Sequence, residues 1–449
     1  MRRSLAALLS LCTGVLGAQE AAGPLPLTLS TAVERALGRY PAVTAARARV
    51  DEAAAATAET RTSHGPMVKL GASALQYDDP MITSPIHSFS PADFPPFSET
   101  IVQGSLNFTY TLLDSGAQRQ RSRQAGAQGA AAGAALSTTE QAIAARVAIA
   151  FTSAIARGEI LAAQEDRVAA LTLELDRARQ LFSAGRAAEV ETLRAEAALA
   201  AADAESSRAA TALDSAERDL ARLLSASPEE TRVGLLAPCA APALAPPDAA
   251  ARAALQQRAV AGGPAVEQAR QQVAAAEAAR ALARTAYFPK LDVVGAVQQF
   301  REGGSDFATD WNAGLQLVVP LWDGGQTGRR VARAGAQRAT AAALLAQVEL
   351  DAREAVDRAL AALADAVARG GALARAADRL AEVARVQKLL LEVGSGTQVD
   401  YLTAEAELAA TRANATEART TALLSRVELA RLTGELTPDW FRRNLEAAP

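Results

Sequence analysis

The chain contains 449 residues, of which 50% are hydrophobic but only 4% aromatic, and its formal net charge is −4. This length fits two or three ordinary domains or one elongated architecture. The slightly acidic balance excludes the basic surface that nucleic-acid binding requires, so we expect no nucleic-acid partner. Alanine supplies most of the apolar content, which favours long helices in close contact over a compact core of large side chains.

The first 18 residues read as a secretory signal peptide, because two arginines precede a short apolar run and small residues follow it. The bulky Leu11 before Cys12 argues against lipidation at that cysteine. After cleavage only Cys239 remains, which excludes an intrachain disulfide. No later run of about 18 apolar residues follows, so we expect an exported protein that could enter a membrane only through strands.

The mature chain is predicted to form two structural repeats, at 19–228 and 251–436. A Pro/Ala-rich linker at 229–250 joins them, and a tail at 437–449 follows. Within the first repeat, Thr31 and Glu34 have capping-box spacing at the start of a helix. Periodicity then predicts these further elements in chain order: a helix at 41–63, strands at 67–77 and 100–114, a helix from 115 to about 180, a helix at 264–287, strands at 290–300 and 310–323, and a helix from 326 to about 391.

Sequence matches at constant spacing support the duplication. The segment "AGRAAEVETLRAEAAL" from Ala184 matches "VGSGTQVDYLTAEAEL" from Val393, at an offset of 209 residues. The same offset aligns "LLDSGAQRQR" from Leu112 with "LWDGGQTGRR" from Leu321. Further upstream "PAVTAARARV" matches "PAVEQARQQV" at an offset of 223 residues. The offset is larger there because the first half has more residues between the start of its first strand and its Asp-x-Gly segment.

Apolar and polar residues alternate clearly in two of the strands, 100–114 and 310–323, as they do in membrane strands, and less regularly in the other two. Four strands leave open edges, and unpaired backbone groups in hydrocarbon cost several kcal/mol each, so the strands must close against copies of themselves. Three copies would give about twelve strands, which suits an outer-membrane barrel. The alternative is a small sheet that caps a helical bundle without entering a membrane.

The Pro/Ser-rich insert at 78–98 reads as a long extracellular loop between the first two strands. His64 and His87 are the only histidines, and no cysteine or carboxylate spacing accompanies either one. We therefore expect both to be ordinary surface residues, with no metal site and no cofactor.

The tandem repeat, the paired strands between long helices, and the segments "LWDGGQTGRR" and "VGSGTQVDYLTAEAEL" together resemble the TolC family of outer-membrane efflux proteins. The resemblance spans about Leu29 to Gly434. It implies a homotrimer with a twelve-stranded barrel in outer-membrane lipid and a helical tunnel across the periplasm. It further implies a passive exit duct without catalysis, used in efflux or type I secretion. An inner-membrane transporter would reach this duct through a periplasmic adaptor (membrane fusion) protein.

The resemblance assigns the two repeated turns to the periplasmic tips, where an adaptor docks and the tunnel narrows. The residues implied for docking are Gly185, Arg186, Val190, Gly394, Gly396, Thr397 and Val399. Asp400 matches the first of two acidic residues that ring the entrance in the family, whereas Thr403 stands in place of the second. Glu191 occupies the position of Asp400 in the first turn. Gly396 replaces an expected basic residue, so the family's usual salt-bridged lock is not predicted here.

Two alternatives remain open from the sequence. Thr397 and Asp400 also fit a capping box, so Asp400 is interpreted as a pore residue, a helix-capping residue or both. A periplasmic coiled-coil scaffold or adaptor is the alternative function. Against that alternative, the helical hairpin is duplicated and no lipoyl-like segment appears. An enzyme lacks any supporting constellation of residues, and the sequence names neither the cargo nor the class of pump.

Overall fold

The computed structural model describes residues 27–83, 85, 87, 97–237, 239, 248–301 and 307–446, so the predicted signal peptide lies outside the described residues. The main elements are, in chain order, α1 Leu29–Arg39, α2 Pro41–Thr62, β1 Met67–Ile82, β2 Phe97–Leu113, α3 Ala117–Ser183, α4 Glu189–Leu224, α5 Ala249–Gly262, α6 Pro264–Thr285, β3 Lys290–Arg301, β4 Phe307–Val318, α7 Gln326–Glu392, α8 Gln398–Leu432 and α9 Pro438–Asn444.

The long helices α3 and α7 give the molecule its length. Each contains 67 residues, which corresponds to about 100 Å at about 1.5 Å per residue. Both start after an Asp-x-Gly sequence, and the offset of 209 residues between them is kept from their first residue to their last. The predicted order of elements is confirmed in both halves.

The strands differ from the prediction at their ends. β1 continues to Ile82 and β2 begins at Phe97, so the loop is shorter than the predicted 78–98. β4 ends at Val318 rather than at 323, because Pro320 cannot donate a ladder hydrogen bond. All four strands form one antiparallel sheet in the order β1-β2-β3-β4.

The main core lies at mid-length, where short helices pack around α3. Phe151 of α3 is fully buried among residues that include Val33 of α1, Leu224 of α4 and Phe441 of α9. The predicted tail at 437–449 therefore contains the helix α9, and its Phe441 and the following Leu445 complete the core. Near the turn between α3 and α4, these two helices contact each other largely through alanine, as in the small cluster of Leu175, Ala178 and Ala195. Small side chains allow the helices to approach closely.

The predicted cap of the first helix is one turn too late. Thr28, not Thr31, is the N-cap of α1, and its hydroxyl accepts a hydrogen bond from the Thr31 backbone N–H. Thr31 takes the place of the acidic residue by returning its side chain to the Thr28 backbone N–H at 3.1 Å. Glu34 instead pairs with Arg442, which joins α1 to α9.

The predicted linker begins as ordered structure. Two 3₁₀ turns, Pro228–Thr231 and Val233–Leu235, follow α4, and Leu236 forms a parallel bridge with Leu27. Burial, with a smaller contribution from Glu446, raises the pKa of the Cys239 thiol to about 12. The thiol therefore stays protonated and unreactive, as expected for a structural cysteine.

One helix among the described residues, α3, is long and apolar enough by length and composition to cross a membrane. This differs from the expectation that no such stretch follows the signal peptide. A single helix of this kind is weak evidence for a span, because core helices pass the same test. α3 packs along α2, α4, α6 and α8, which is the environment of a core helix.

Candidate channel wall and helical tips

One face of the sheet presents apolar side chains in register across all four strands. Leu70 of β1 pairs with Leu106 of β2, Leu106 with Val297 of β3, and Val297 with Trp311 of β4. Leu70 is 84% exposed and Trp311 71% exposed in the single chain. An apolar surface that crosses a whole sheet must be covered, and membrane lipid is the cover for which strand alternation is suited.

The opposite face of the sheet is polar. In the neighbouring row Lys69 pairs with Asn107, Asn107 with Ala296, and Ala296 with Asn312. On the same face Asp292 accepts hydrogen bonds from Thr111 at 2.7 Å and Lys290 at 2.9 Å. A polar inner face behind an apolar outer face is the arrangement of a water-filled barrel wall.

The sheet has two long unpaired edges, β1 and β4. An edge of free backbone groups cannot remain in hydrocarbon, because no water is present there to hydrogen-bond them. The single chain therefore supplies a segment of barrel wall rather than a closed barrel.

Large apolar side chains collect where the strands meet the helices. Tyr287 and Phe288 precede β3, and Leu321 and Trp322 follow β4; all four are exposed. Aromatic residues at the end of a barrel wall typically lie at the boundary between membrane and water.

The two Asp-x-Gly sequences turn the chain from strand into helix. Asp114 accepts hydrogen bonds from the backbone N–H groups of Gly116 and Gln118, at 3.0 and 2.5 Å. Asp323 binds those of Gly325 and Thr327 in the same way, at 3.0 and 2.7 Å. Gly116 and Gly325 have φ near +83° and +82°, which strongly favours glycine. The repeated motif is thus a helix-starting turn.

The first tip joins α3 to α4 through Gly185, whose φ is +67°. The Arg186 N–H donates to the Leu181 carbonyl at 2.8 Å, which closes the end of α3. Ala188 is the N-cap of α4 and provides no side-chain hydrogen bond. Val190 is exposed beside the turn.

The second tip joins α7 to α8 and is more tightly tied. Gly394 has φ of +78°, and the N–H groups of Ser395 and Gly396 both donate to the Leu390 carbonyl at 3.0 Å. A Cβ on Gly396 would lie 2.8 Å from Leu390 Cβ, so a side chain does not fit there. This explains why Gly396 stands where a basic residue was expected.

Thr397 caps α8, as the sequence predicted. Its hydroxyl accepts from the Asp400 N–H at 3.2 Å and lies 2.7 Å from Asp400 Oδ2. Asp400 therefore binds the threonine hydroxyl rather than the Thr397 backbone N–H that a full capping box requires. Asp400 is otherwise exposed, and so are Thr403 and Val399. Within the described part of the chain no hydrogen bond or ion pair joins Asp400 to Glu191 or Thr403.

A polar cluster that sequence reasoning missed joins the two coiled coils just above the tips. Arg177 of α3 donates to the Leu391 carbonyl at the end of α7 and pairs with Glu174 at 3.3 Å. Glu174, which is only 8% exposed, accepts a hydrogen bond from the Gln398 side chain at 3.1 Å. A backbone acceptor leaves no signal in a sequence, so periodicity alone could not reveal this contact.

Tyr401 lies near Glu174 of this cluster, and its side chain is fully buried. Burial raises the pKa of its phenol well above the usual value, and the nearby Glu405, Glu174 and Glu392 raise it further. The phenol therefore stays neutral, which suits a buried packing residue between carboxylates.

The two histidines have different neighbours. His64 lies against Tyr110 with ring centroids 6.1 Å apart, and the exposed His87 pairs with Asp310 at 2.7 Å. Across the residues that the structure describes, no group of three or more His, Cys, Asp or Glu side chains could hold a metal ion.

Comparison with known protein families gives a match in both halves of the chain. A family model described as "Outer membrane efflux protein" matches residues 32–226 and 255–435. A search of curated protein sequences gives no match.

Solved structures share the fold over nearly the whole chain. The outer-membrane channel OprN has 22% identity and a TM-score of 0.77, over 91% of this chain and 90% of its own. The Campylobacter jejuni CmeC outer membrane channel has 16% identity and a TM-score of 0.75, over 91% and 86%. The Vibrio cholerae outer membrane protein VceC has 17% identity and a TM-score of 0.73, over 90% and 96%.

Proposed function

Because the chain belongs to the outer membrane efflux protein family, we propose that three copies form the passive exit duct of a tripartite efflux or secretion system. An inner-membrane pump supplies the energy, and a periplasmic adaptor joins the pump to the duct. The observation that carries the proposal is the four-residue apolar row Leu70–Leu106–Val297–Trp311, backed by a polar face on a sheet with open edges. The alternative adaptor function is not favoured, because the family match covers both repeats.

Closure by three copies is compatible with the number of strands. Each copy contributes four strands, and pairing β1 of one copy with β4 of the next removes every edge once the ring closes. Twelve strands fall within the range of outer-membrane barrels. The 67-residue helices of the same copies then surround a tunnel.

The tips suit adaptor docking. Phe182, Val190, Val393 and Val399 are exposed apolar side chains on or beside the two turns. An apolar surface at the far end of a helical hairpin, with charged residues around it, is typical of a protein interaction site. We place Gly185, Arg186, Gly394 and Thr397 in the turn backbone that presents this surface.

The tunnel entrance is proposed to carry a ring of carboxylates. Asp400 and Glu191 occupy equivalent positions in the first turns of α8 and α4, and Thr403 follows Asp400 by about one turn of α8. Six carboxylates around a threefold axis would favour cations over anions by their local potential.

The test is the electrical conductance of the purified protein in a planar bilayer. Discrete, ohmic current steps with a cation preference are expected. As a control for assembly, Leu70→Asp places a charge on the lipid-facing row and should prevent insertion without altering helical content by circular dichroism. Protein that folds, yet never raises bilayer conductance, would overturn the proposal.

A further inference from the structure

A cavity of about 830 Å³ lies where the sheet joins the helices. Its helical lining comes from the end of α2, the starts of α3 and α7, and the end of α6 with the connection to β3. Three strand residues, Thr111, Lys290 and Val318, complete the lining. One chain therefore builds the whole cavity, far from the helical tips.

The cavity meets the sheet on its polar face. Successive side chains of a strand point to opposite faces. Thr111, Lys290 and Val318 each lie an even number of positions from the residue of the same strand in the polar row described above. The cavity is therefore reached from the face that we propose lines the duct, and not from the apolar face.

Two arginines at equivalent positions of the repeats line this cavity. Arg121 and Arg330 are the fifth residues of α3 and α7, and the 209-residue offset of the repeats separates them. Both side chains are exposed in the single chain. The two repeats thus contribute the same cationic group to one cavity.

Neither guanidinium group has an ionic partner. In the part of the chain that the structure describes, no hydrogen bond or ion pair joins Arg121 or Arg330 to another residue. Their own helices offer none nearby, because the first acidic residues of α3 and α7 are Glu140 and Glu349, about five turns further along.

The other charged groups of the lining are already engaged. The Lys290 ammonium group pairs with Asp292 at 2.9 Å. The Asp114 carboxylate accepts the backbone N–H groups that start α3. The two arginines are therefore the charges left for a ligand. Two cations that line one cavity repel each other until an anion lies between them.

The remaining wall suits an apolar group. It includes Leu282, Ala286, Phe288, Pro289 and Pro320. The volume falls within the range of about 300–1,000 Å³ that is typical of small-molecule sites. Free cations beside an apolar wall recognise an organic anion better than a simple inorganic ion, because both parts of the ligand find a partner.

We propose that this cavity is a transit site for organic anions that pass through the duct. Arg121 and Arg330 bind the carboxylate, sulfonate or phosphate group, and the apolar wall holds the rest of the molecule. The identification of the ligand as a passing solute rests on the proposed duct function. A phospholipid headgroup offers the same chemistry as such a solute, so the test must separate the two sources.

The probe is 4′-fluorobiphenyl-4-carboxylate, observed by ¹⁹F NMR with the assembled protein in phosphatidylcholine nanodiscs. Saturable line broadening is expected. The neutral carboxamide of the same probe should bind at least about tenfold more weakly, because charge-assisted hydrogen bonds are lost. Empty nanodiscs measure partition into lipid. No saturable binding of the carboxylate, or equal binding of the carboxamide, would overturn the proposal.

Nanodiscs that contain phosphatidylglycerol distinguish a solute from a lipid headgroup. A site on the duct side should still bind the probe in these nanodiscs after correction for partition. Loss of saturable binding there, with binding retained in phosphatidylcholine, would assign the cavity to an anionic lipid and contradict the transit site.

Two variants locate the site, each with a matched control. Arg121→Gln and Arg330→Gln should each weaken binding about tenfold. Arg123→Gln and Arg329→Gln remove the same charge from exposed arginines of the same helices outside the cavity, and should leave binding unchanged. Equal effects of all four substitutions, in proteins with unaltered helical content, would indicate general surface charge and refute the site.

Conductance of the same preparations separates this proposal from the proposed duct. Conductance without saturable binding of the probe would refute the anion site and leave the duct standing. Saturable binding that depends on Arg121 and Arg330, without conductance, would refute the duct and with it the description of the ligand as a passing solute.

Discussion

The two tips have the same fold but different restraints. The first turn ends at Ala188, which provides no cap, whereas the second ends at Thr397, which does. The second tip also holds the neighbouring coiled coil, because Leu391 and Gln398 are the partners of Arg177 and Glu174. The two turns thus share their geometry, whereas the side-chain cap and the contacts with Arg177 and Glu174 are made by the second turn.

The largest expected effect comes from breaking the contact between the two coiled coils. Arg177→Ala leaves the Leu391 carbonyl without this donor and the buried Glu174 without its cation, so the tips should separate more readily. We expect a severalfold rise in single-channel conductance, measured in planar bilayers.

The control for this change is Arg179→Ala. Arg179 lies on the same turn of α3 but forms an exposed pair with Glu196 at 2.9 Å, and exposed pairs contribute little. Equal conductance of wild-type protein and the Arg177 variant would show that the cluster does not restrain the entrance.

The second prediction concerns the room for a side chain at the same position of the two turns. Gly396→Ala forces a Cβ against Leu390 and should destabilise the second tip by about 1–3 kcal/mol, as overpacking does. The equivalent position in the first tip is already Ala187, and Ala187→Gly should have a smaller effect. Hydrogen exchange of the tip amides measures both. Unchanged protection in the Gly396 variant would refute the steric explanation.

The third prediction removes the side-chain cap of α8 and adds one to α4. Thr397→Ala should cost about 1 kcal/mol of local stability, and Ala188→Ser should add a similar amount at the first tip. The same exchange experiment reads out both, as faster exchange at the start of α8 and slower exchange at the start of α4. A change of the exchange rate in the same direction at both tips would argue against the difference in capping between them.

The smallest effect concerns charge. Asp400→Asn and Glu191→Gln each remove three carboxylates from a trimer, so each should lower the cation preference measured by reversal potentials in a salt gradient. Asn at 400 still accepts a hydrogen bond from Thr397, so the cap is retained. If neither substitution alters selectivity, Asp400 acts only at the helix start.

The sequence predicted the elements well where local chemistry determines them. Asp114 and Asp323 each start a long helix through hydrogen bonds within four residues, so the signal lies within a few letters. The end of β1 was missed because Pro80 resembles a loop residue. β1 is an edge strand of the single chain, where proline is tolerated, and its register shifts between Gln76 and Met81.

The functional contacts were less predictable because they depend on residues far apart in the chain. Arg177 binds a backbone oxygen more than two hundred residues away, and any residue at 391 offers that oxygen. The packing of Phe441 likewise depends on helices from both halves. The predicted positions Asp400, Thr403 and Glu191 remain a proposal about an assembly of several chains.

Light scattering in mild detergent, with the detergent contribution subtracted, gives the protein mass of the assembly extracted from purified outer membranes and so tests whether several chains share one barrel. Three times the mass of the processed chain is expected, because three copies of four strands close a twelve-stranded ring in which β1 and β4 have no free edge. A stable monomer, or protein recovered only from the soluble periplasm, would contradict it.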